Sequence, residues 1–402
     1  MNNLKQDEIQ KQAVESWLNA NKKGTFQVST GVGKTFMFLH CLHSMPKNDD
    51  IHFFLAEVVD RENDLKKDIT KYDKIFGTTT RKDYDLKFLT YQSAYKMSEA
   101  KVGLVGADEI HNALTPEYSK FFFNNTYDAI VGLSATIDAN TSYMIDDKIV
   151  RKKDLLDKIA PVCFKYTLSQ AKDDGVGRNL NVYVIQQNLD SVNKTIKAGR
   201  ANKPFYQTEK AAYDYWDREH KKSWYLEDED LKSLKIRITS TKRSNLLFNL
   251  PSKIEAVKQL LPMLKGKTIL FGNSLDSLLK ITKNVVSSRY TEDQNKAIRD
   301  NFDSDKINLI GSFKKLRQGA NLVGLTNAII MSYYSSEVHA VQQWGRLRKD
   351  GDKDGNVFIL LTMNTQEEVW FTKMTENLTD FNIIYCDSVK DCIQKYKLNE
   401  KN

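Results

Sequence analysis

The sequence predicts an α/β protein with two parallel-sheet domains in tandem and a helical insertion, at about residues 195–248, between their cores. Three observations lead there. Short apolar runs recur that are continuous rather than alternating, as expected of strands buried on both faces. Helical patterns separate these runs, which favours parallel pairing. The whole alternation then occurs a second time, and 402 residues suffice for more than one core.

In the first series, "FQVS", "IHFFLAE", "KFLTY", "VGLVGADE" and "DAIVGLS" read as strands, with helices over Gly33–His43 and Arg61–Tyr72. "LNVYVIQQNL" reads as a further strand. The polar, aromatic stretch from about Ala201 to Arg243 reads as a helical hairpin, either a solvated insertion or a nucleic-acid contact. From Pro251 the series resumes. Ile254, Val257, Leu260, Leu261 and Leu264 share one helical face, and "TILFG", "INLIG", "NAIIMSY" and "NVFILL" follow as strands. The expected domains are residues 1–165 and 166–385, with a short tail over 386–402.

The formal net charge of +8 suits a polyanionic partner and equally a solvated lysine-rich surface. Cys41, Cys163, Cys386 and Cys392 form no CxxC pair, so they read as thiols of a reducing compartment rather than zinc ligands. The polar start "MNNLKQDEIQ" lacks a signal-peptide core, and no apolar run is long enough to span a bilayer. The expectation is a cytoplasmic protein.

Chemistry concentrates first in "TFQVSTGVGKTF". A strand ending near Ser29, small residues and a helix from Lys34 aim backbone N–H groups and a helix N-terminus at one spot, which suits phosphate. The full phosphate-loop pattern wants glycine at position 28, where this chain has Val28. Lys34 would reach the β- and γ-phosphates of ATP and Thr35 would ligate Mg²⁺. About 75 residues on, "LVGADEIH" ends a strand in two carboxylates at the sheet's carboxyl edge, where ligands of open α/β sheets bind. Asp108 would hold the metal ion and Glu109 would polarise the attacking water.

These motifs resemble those of superfamily-two (DExH-box) helicases and translocases, whose two domains are RecA-like. That family's loop usually reads Thr-Gly-x-Gly-Lys-Thr without the earlier glycine, matching Thr30, Gly31, Val32, Gly33, Lys34 and Thr35. "DEIH" matches the Asp-Glu-x-His box, and "GLSAT" (Gly132–Thr136) matches the Ser-Ala-Thr motif. Gln10 of "IQKQAVESW" matches the adenine-reading glutamine, with Asp7 where relatives carry a base. In the second series, "KKLRQGANLVGLTNAII" resembles the motif whose Gly319 approaches the nucleotide, with Asn321 in place of aspartate. "QQWGRLRK" supplies Gln342, Gly345 and Arg346, and the finger role falls to Arg348 or Lys349.

The resemblance implies nucleic-acid contacts by Arg61, Thr90, Gln92, Asn273, Ser274 and Lys314. It extends more loosely to small phage DNA helicases of the UvsW-like kind, which implies the host cytoplasm if the chain is phage-encoded. The function implied is an ATP-dependent helicase or translocase, with ATP and Mg²⁺ as cofactors and single-stranded, forked or branched DNA as partner. RNA stands as the alternative polymer, and a nucleic-acid clamp with weak ATPase activity as the alternative class. A monomer is plausible, with no membrane partner.

Overall fold

The computed structural model describes residues 4–29, 31–59, 61–135, 137, 141–145, 148–176, 180–200, 202–313, 322, 324–333, 355–375 and 382–399. Its contacts divide the chain into two units, the second beginning at Leu180.

The first unit is built on a six-stranded sheet. Its strands are β1 (Lys23–Val28), β2 (Ile51–Ala56), β3 (Asp85–Thr90), β4 (Lys101–Asp108), β5 (Thr126–Ser134) and β8 (Val162–Tyr166), in the spatial order β3-β2-β4-β5-β1-β8. Every pairing is parallel. A small antiparallel hairpin, β6 (Ser142–Ile145) with β7 (Lys148–Arg151), lies outside it. The central strands are buried almost end to end, which is why they read as unbroken apolar runs. Helices α1 (Leu4–Asn19), α2 (Lys34–His43) and α3 (Arg61–Phe76) cover one face through Trp17, Phe38 and Tyr72. The other face packs on Ile110, Phe121, Leu156 and Ile159. Gly106 lets α2 approach β4, since a Cβ there would sit 2.4 Å from the Phe38 ring. This unit continues beyond residue 165, because Ala171 and Val176 are buried in its core.

Four histidines of this unit sit where the charged form is disfavoured. His40 meets the rings of Tyr72 and Phe76 edge-on, and His43 stacks on Tyr72 and lies 2.8 Å from Thr80 Oγ1. His52 Nδ1 accepts from Leu104 N at 3.0 Å, and His111 lies beside Ser134. Burial is the first cause that lowers the pKa of each. Unfolded histidines titrate near pH 6.5. Below that pH the unfolded chain therefore binds more protons at these sites than the folded unit does. The contribution is complete above about pH 6.5 and lost as the pH falls through the lowered folded values. Thermal unfolding of this unit at pH 7.5 and 5.5 is expected to give a lower midpoint at the acid pH; equal midpoints would contradict the assignment.

The second unit has a seven-stranded parallel sheet. Its strands are β9 (Leu180–Gln187), β12 (Lys267–Gly272), β13 (Val285–Ser287), β14 (Leu309–Phe313), β15 (Leu325–Ile330), β16 (Gly355–Thr362) and β17 (Asn382–Cys386), in the order β13-β14-β12-β15-β16-β9-β17. Helix Pro251–Leu260 packs its Ile254, Val257 and Leu260 face into the core, as the periodicity predicts. The stretch read as a tail is part of this unit: helix Val389–Asn399 buries Cys392 and Tyr396 in the same core. All four cysteines are free thiols.

The insertion differs from the helical expectation over its first dozen residues. β10 (Ile196–Arg200) and β11 (Lys203–Gln207) form an antiparallel ribbon before helices Glu209–Ser223 and Glu229–Phe248. Gly199 (φ 88°) lies next to the turn, and Pro204 in β11 has no N–H to donate; both are poor helix residues. Among the described residues, no helix is long and apolar enough to cross a membrane.

Candidate nucleotide site

The loops after β1, β2, β4 and β5 all leave the carboxyl edge of the first sheet, and they bring the expected chemistry together. After β1, Gly31 (φ 93°) and Gly33 (φ 91°) adopt left-handed backbone, which turns the chain sharply into α2. Gly33 is constrained on its open side as well, since a Cβ would lie 2.5 Å from Gln10 Nε2. The first residues of α2 are Lys34 and a buried Thr35, so its free N–H groups face the loop.

After β4 the chain kinks at Glu109, a non-glycine residue with φ 49°. The kink turns toward one loop two carboxylates that a regular strand would send to opposite faces. Glu109 Oε1 lies 3.4 Å from Lys34 Nζ, with both side chains largely buried. Its Oε2 is 3.5 Å from both Ser134 Oγ and His111 Nδ1, and the histidine and serine are themselves 2.8 Å apart. The end of β5 is thereby tied to the carboxylate. Tyr91 fixes the turn by donating to the Asp108 carbonyl at 2.8 Å, and Asn112 donates to Glu57 at 2.7 Å.

Arg61, expected at nucleic acid, is instead engaged inside this site. Its Nε donates to Asp108 Oδ2 at 2.7 Å and its Nη2 to Thr35 Oγ1 at 2.6 Å, with Asp68 3.6 Å from Nη1 and the Phe54 ring 5.6 Å away. Burial opposes its charge, but Asp108 and the neighbouring Asp68 and Asp64 outweigh that and raise its pKa. A cation thus already bridges the two side chains expected to hold Mg²⁺, so the oxygen pair fits a cation. The nucleotide fits on separate grounds. Gln10 Nε2 donates to Val32 O at 2.9 Å, while its buried Oε1 has no partner among the described residues, leaving an acceptor for an exocyclic amine. The buried Ser29 hydroxyl is likewise unmatched.

Sequence reading missed Gln6, whose Nε2 donates to Gly31 O at 3.3 Å. Its position four residues before Gln10, on the same helix face, was the available signal. Thr90 and Ser274 each cap a short helix at the end of β3 and β12, through Ser93 N and Ser277 N. Gln92 is exposed, and Asn273 N donates to Ser332 Oγ at 2.7 Å. Thr30, Thr136, Lys314, Gly319, Asn321, Gln342, Gly345, Arg346, Arg348 and Lys349 lie outside the described residues.

Residues 3–139 match the family model of the type III restriction enzyme res subunit. The DNA 3'-5' translocase XPB2 of Sulfurisphaera tokodaii is 24% identical over 394 residues, covering 90% of this chain and 82% of the relative. In fold, the chain is similar to S. cerevisiae Dbp5 bound to RNA and ADP BeF3, with a TM-score of 0.63, 11% identity, and 98% and 93% of the two chains covered. It is also similar to the Type ISP restriction-modification enzyme LlaBIII bound to DNA, with a TM-score of 0.58 and 14% identity. That likeness covers 98% of this chain and 32% of LlaBIII. Both units therefore have the RecA-like fold in tandem.

Proposed function

We propose, from the chain's similarity to the res-subunit family model and to the XPB2 translocase, that it is a nucleic-acid-dependent ATPase that converts ATP hydrolysis into movement along, or remodelling of, DNA. The observation that carries this reading is the joint arrangement of Lys34, Thr35, Asp108 and Glu109 around one loop, with a cation held between Thr35 and Asp108. The phosphates would lie on the N–H groups of Gly31–Lys34, with Lys34 exchanging Glu109 for phosphate oxygens. Thr35 and Asp108 would hold Mg²⁺, which when bound neutralises the phosphate charge. Glu109, released from Lys34, would orient a water, with His111 and Ser134 fixing its second oxygen. Gln10 would accept from adenine. Gln342, Arg346 and Arg348 or Lys349, which lie outside the described residues, are proposed by the same resemblance to add the finger that acts on the triphosphate.

The test is ATP turnover by the purified chain with no polymer, single-stranded DNA, forked DNA and RNA. Stimulation by DNA is expected. Stimulation by RNA alone would select an RNA helicase, and none by any polymer would select the clamp.

Arg61 gives an independent check of the metal assignment. Its guanidinium has to leave Thr35 and Asp108 for a divalent ion to enter. In Arg61→Ala, ADP binding with Mg²⁺ is expected to tighten about tenfold, as two charge-assisted bonds no longer have to be broken. Binding without Mg²⁺ should weaken or stay level, since a cation near the phosphates has been removed. Titration of a fluorescent ADP in magnesium and in EDTA measures both, and an unchanged ratio would sink the assignment.

A further inference from the structure

The ribbon β10–β11 joins neither large sheet. Two strands alone are marginal in water, so its order has to come from its root. Glu209, fully buried one residue into the following helix, provides it. Its carboxylate accepts from Asp190 N at 3.0 Å and from Ser252 N and Oγ at 2.8 Å. The two ends of the insertion stem are thereby pinned to each other and to the start of helix Pro251–Leu260. Asp190 in turn gathers the N–H groups of Val192 and Asn193.

Above that root the ribbon is open to solvent on both faces. The register opposes Lys197 to Tyr206, Ala198 to Phe205 and Arg200 to Lys203. Opposed residues share a face and neighbours alternate. One face therefore carries Tyr206 beside Lys197, and the other carries Phe205 followed by Arg200 and Lys203. Phe205 is 54% exposed and Tyr206 58%. Lys194, Lys197, Arg200 and Lys203 are exposed too, no acidic residue lies between Asp190 and Glu209, and none of the four cations makes an ion pair among the described residues.

Solvent alone gives no reason to expose an aromatic ring on each side of a thin ribbon flanked by unneutralised cations. The combination matches single-stranded nucleic acid, which offers base faces for stacking and phosphates for Lys and Arg, whereas a duplex hides its base faces. We propose that the two strands β10 and β11 form a single-strand contact in which unstacked bases lie on Phe205 and Tyr206 while Lys197, Arg200 and Lys203 hold flanking phosphates. This deepens the proposed action on nucleic acid and rests on it only for the identity of the polymer.

The test is fluorescence anisotropy of labelled oligothymidine, oligouridine and a blunt DNA duplex, without nucleotide. Phe205→Ala/Tyr206→Ala is expected to weaken single-strand binding at least about tenfold and leave the duplex unchanged. Phe205→Tyr/Tyr206→Phe, which keeps both rings, should bind as the wild type does. Lys197→Gln/Arg200→Gln/Lys203→Gln should reduce the slope of log affinity against log salt by about 2, at about 0.7 for each phosphate no longer neutralised. Single-strand affinity within twofold of wild type in the alanine variant overturns the proposal, as does an equal loss on duplex. The thymidine and uridine arms decide between DNA and RNA. The motor reading fails separately: ring-dependent binding with no polymer-stimulated turnover sinks the motor and keeps the ribbon, and stimulated turnover with ring-independent binding does the reverse.

Discussion

Lys34→Ala and Glu109→Gln are each expected to reduce ATP turnover severely while differing in nucleotide binding. Lys34 opens the helix that follows the loop, and its Nζ lies 3.4 Å from Glu109 Oε1. Removing a preorganised donor of this kind lowers turnover by about 10²–10³. It also takes a positive charge from bound phosphates, so ADP affinity should fall with it. Glu109→Gln keeps the shape and removes the base, for which a loss of about 10²–10⁴ is usual. Here ADP affinity should hold or rise, because Lys34 no longer has a carboxylate to release. Steady-state phosphate release paired with fluorescent-ADP titration separates the two. Near-normal hydrolysis in either variant, or equal loss of ADP binding in both, would contradict the roles given to Lys34 and Glu109.

The strands of both sheets were legible because strands buried on both faces have to be apolar throughout, and "FQVS", "IHFFLAE" and "NVFILL" carry that signature directly. The short edge strands β8, β13 and β17 were not, since runs of three to five residues carry little pattern. The ribbon of β10 and β11 was missed for a related reason. Its aromatics and cations are exposed on both faces, so the alternation that marks a half-buried strand is absent. At the candidate site, the residue types and their spacing were readable, and the fold brings the described ones to one sheet edge. Arg61 was not readable. Its position follows from where α3 starts after β2, beside β4 in the sheet, and from the strong preference of a buried guanidinium for paired oxygens.

That buried-charge logic predicts the largest stability effect in the second unit. Lys253 and Glu367 are both fully buried, 2.5 Å apart. The ammonium also donates to Met331 O at 3.0 Å, and Glu367 Oε2 accepts from Thr362 N at 3.0 Å. The pair thus fastens helix Pro251–Leu260 to the ends of β15 and β16. Burial lowers the Lys253 pKa, and the facing carboxylate works against that shift. Lys253→Met leaves a carboxylate in the core with no counter-charge, an arrangement that destabilises by about 3–5 kcal/mol. Amide exchange across Gly355–Thr362 should then accelerate by roughly a hundred- to several-thousand-fold wherever it proceeds by opening of this unit. Lys253→Met/Glu367→Leu removes both charges and should exchange more slowly than either single variant. It remains short of wild type, because Thr362 N loses its buried acceptor at about 1–3 kcal/mol. Single variants within about 1 kcal/mol of wild type, or a double variant as unstable as the sum of the two, would show that the ion pair does not fasten this unit.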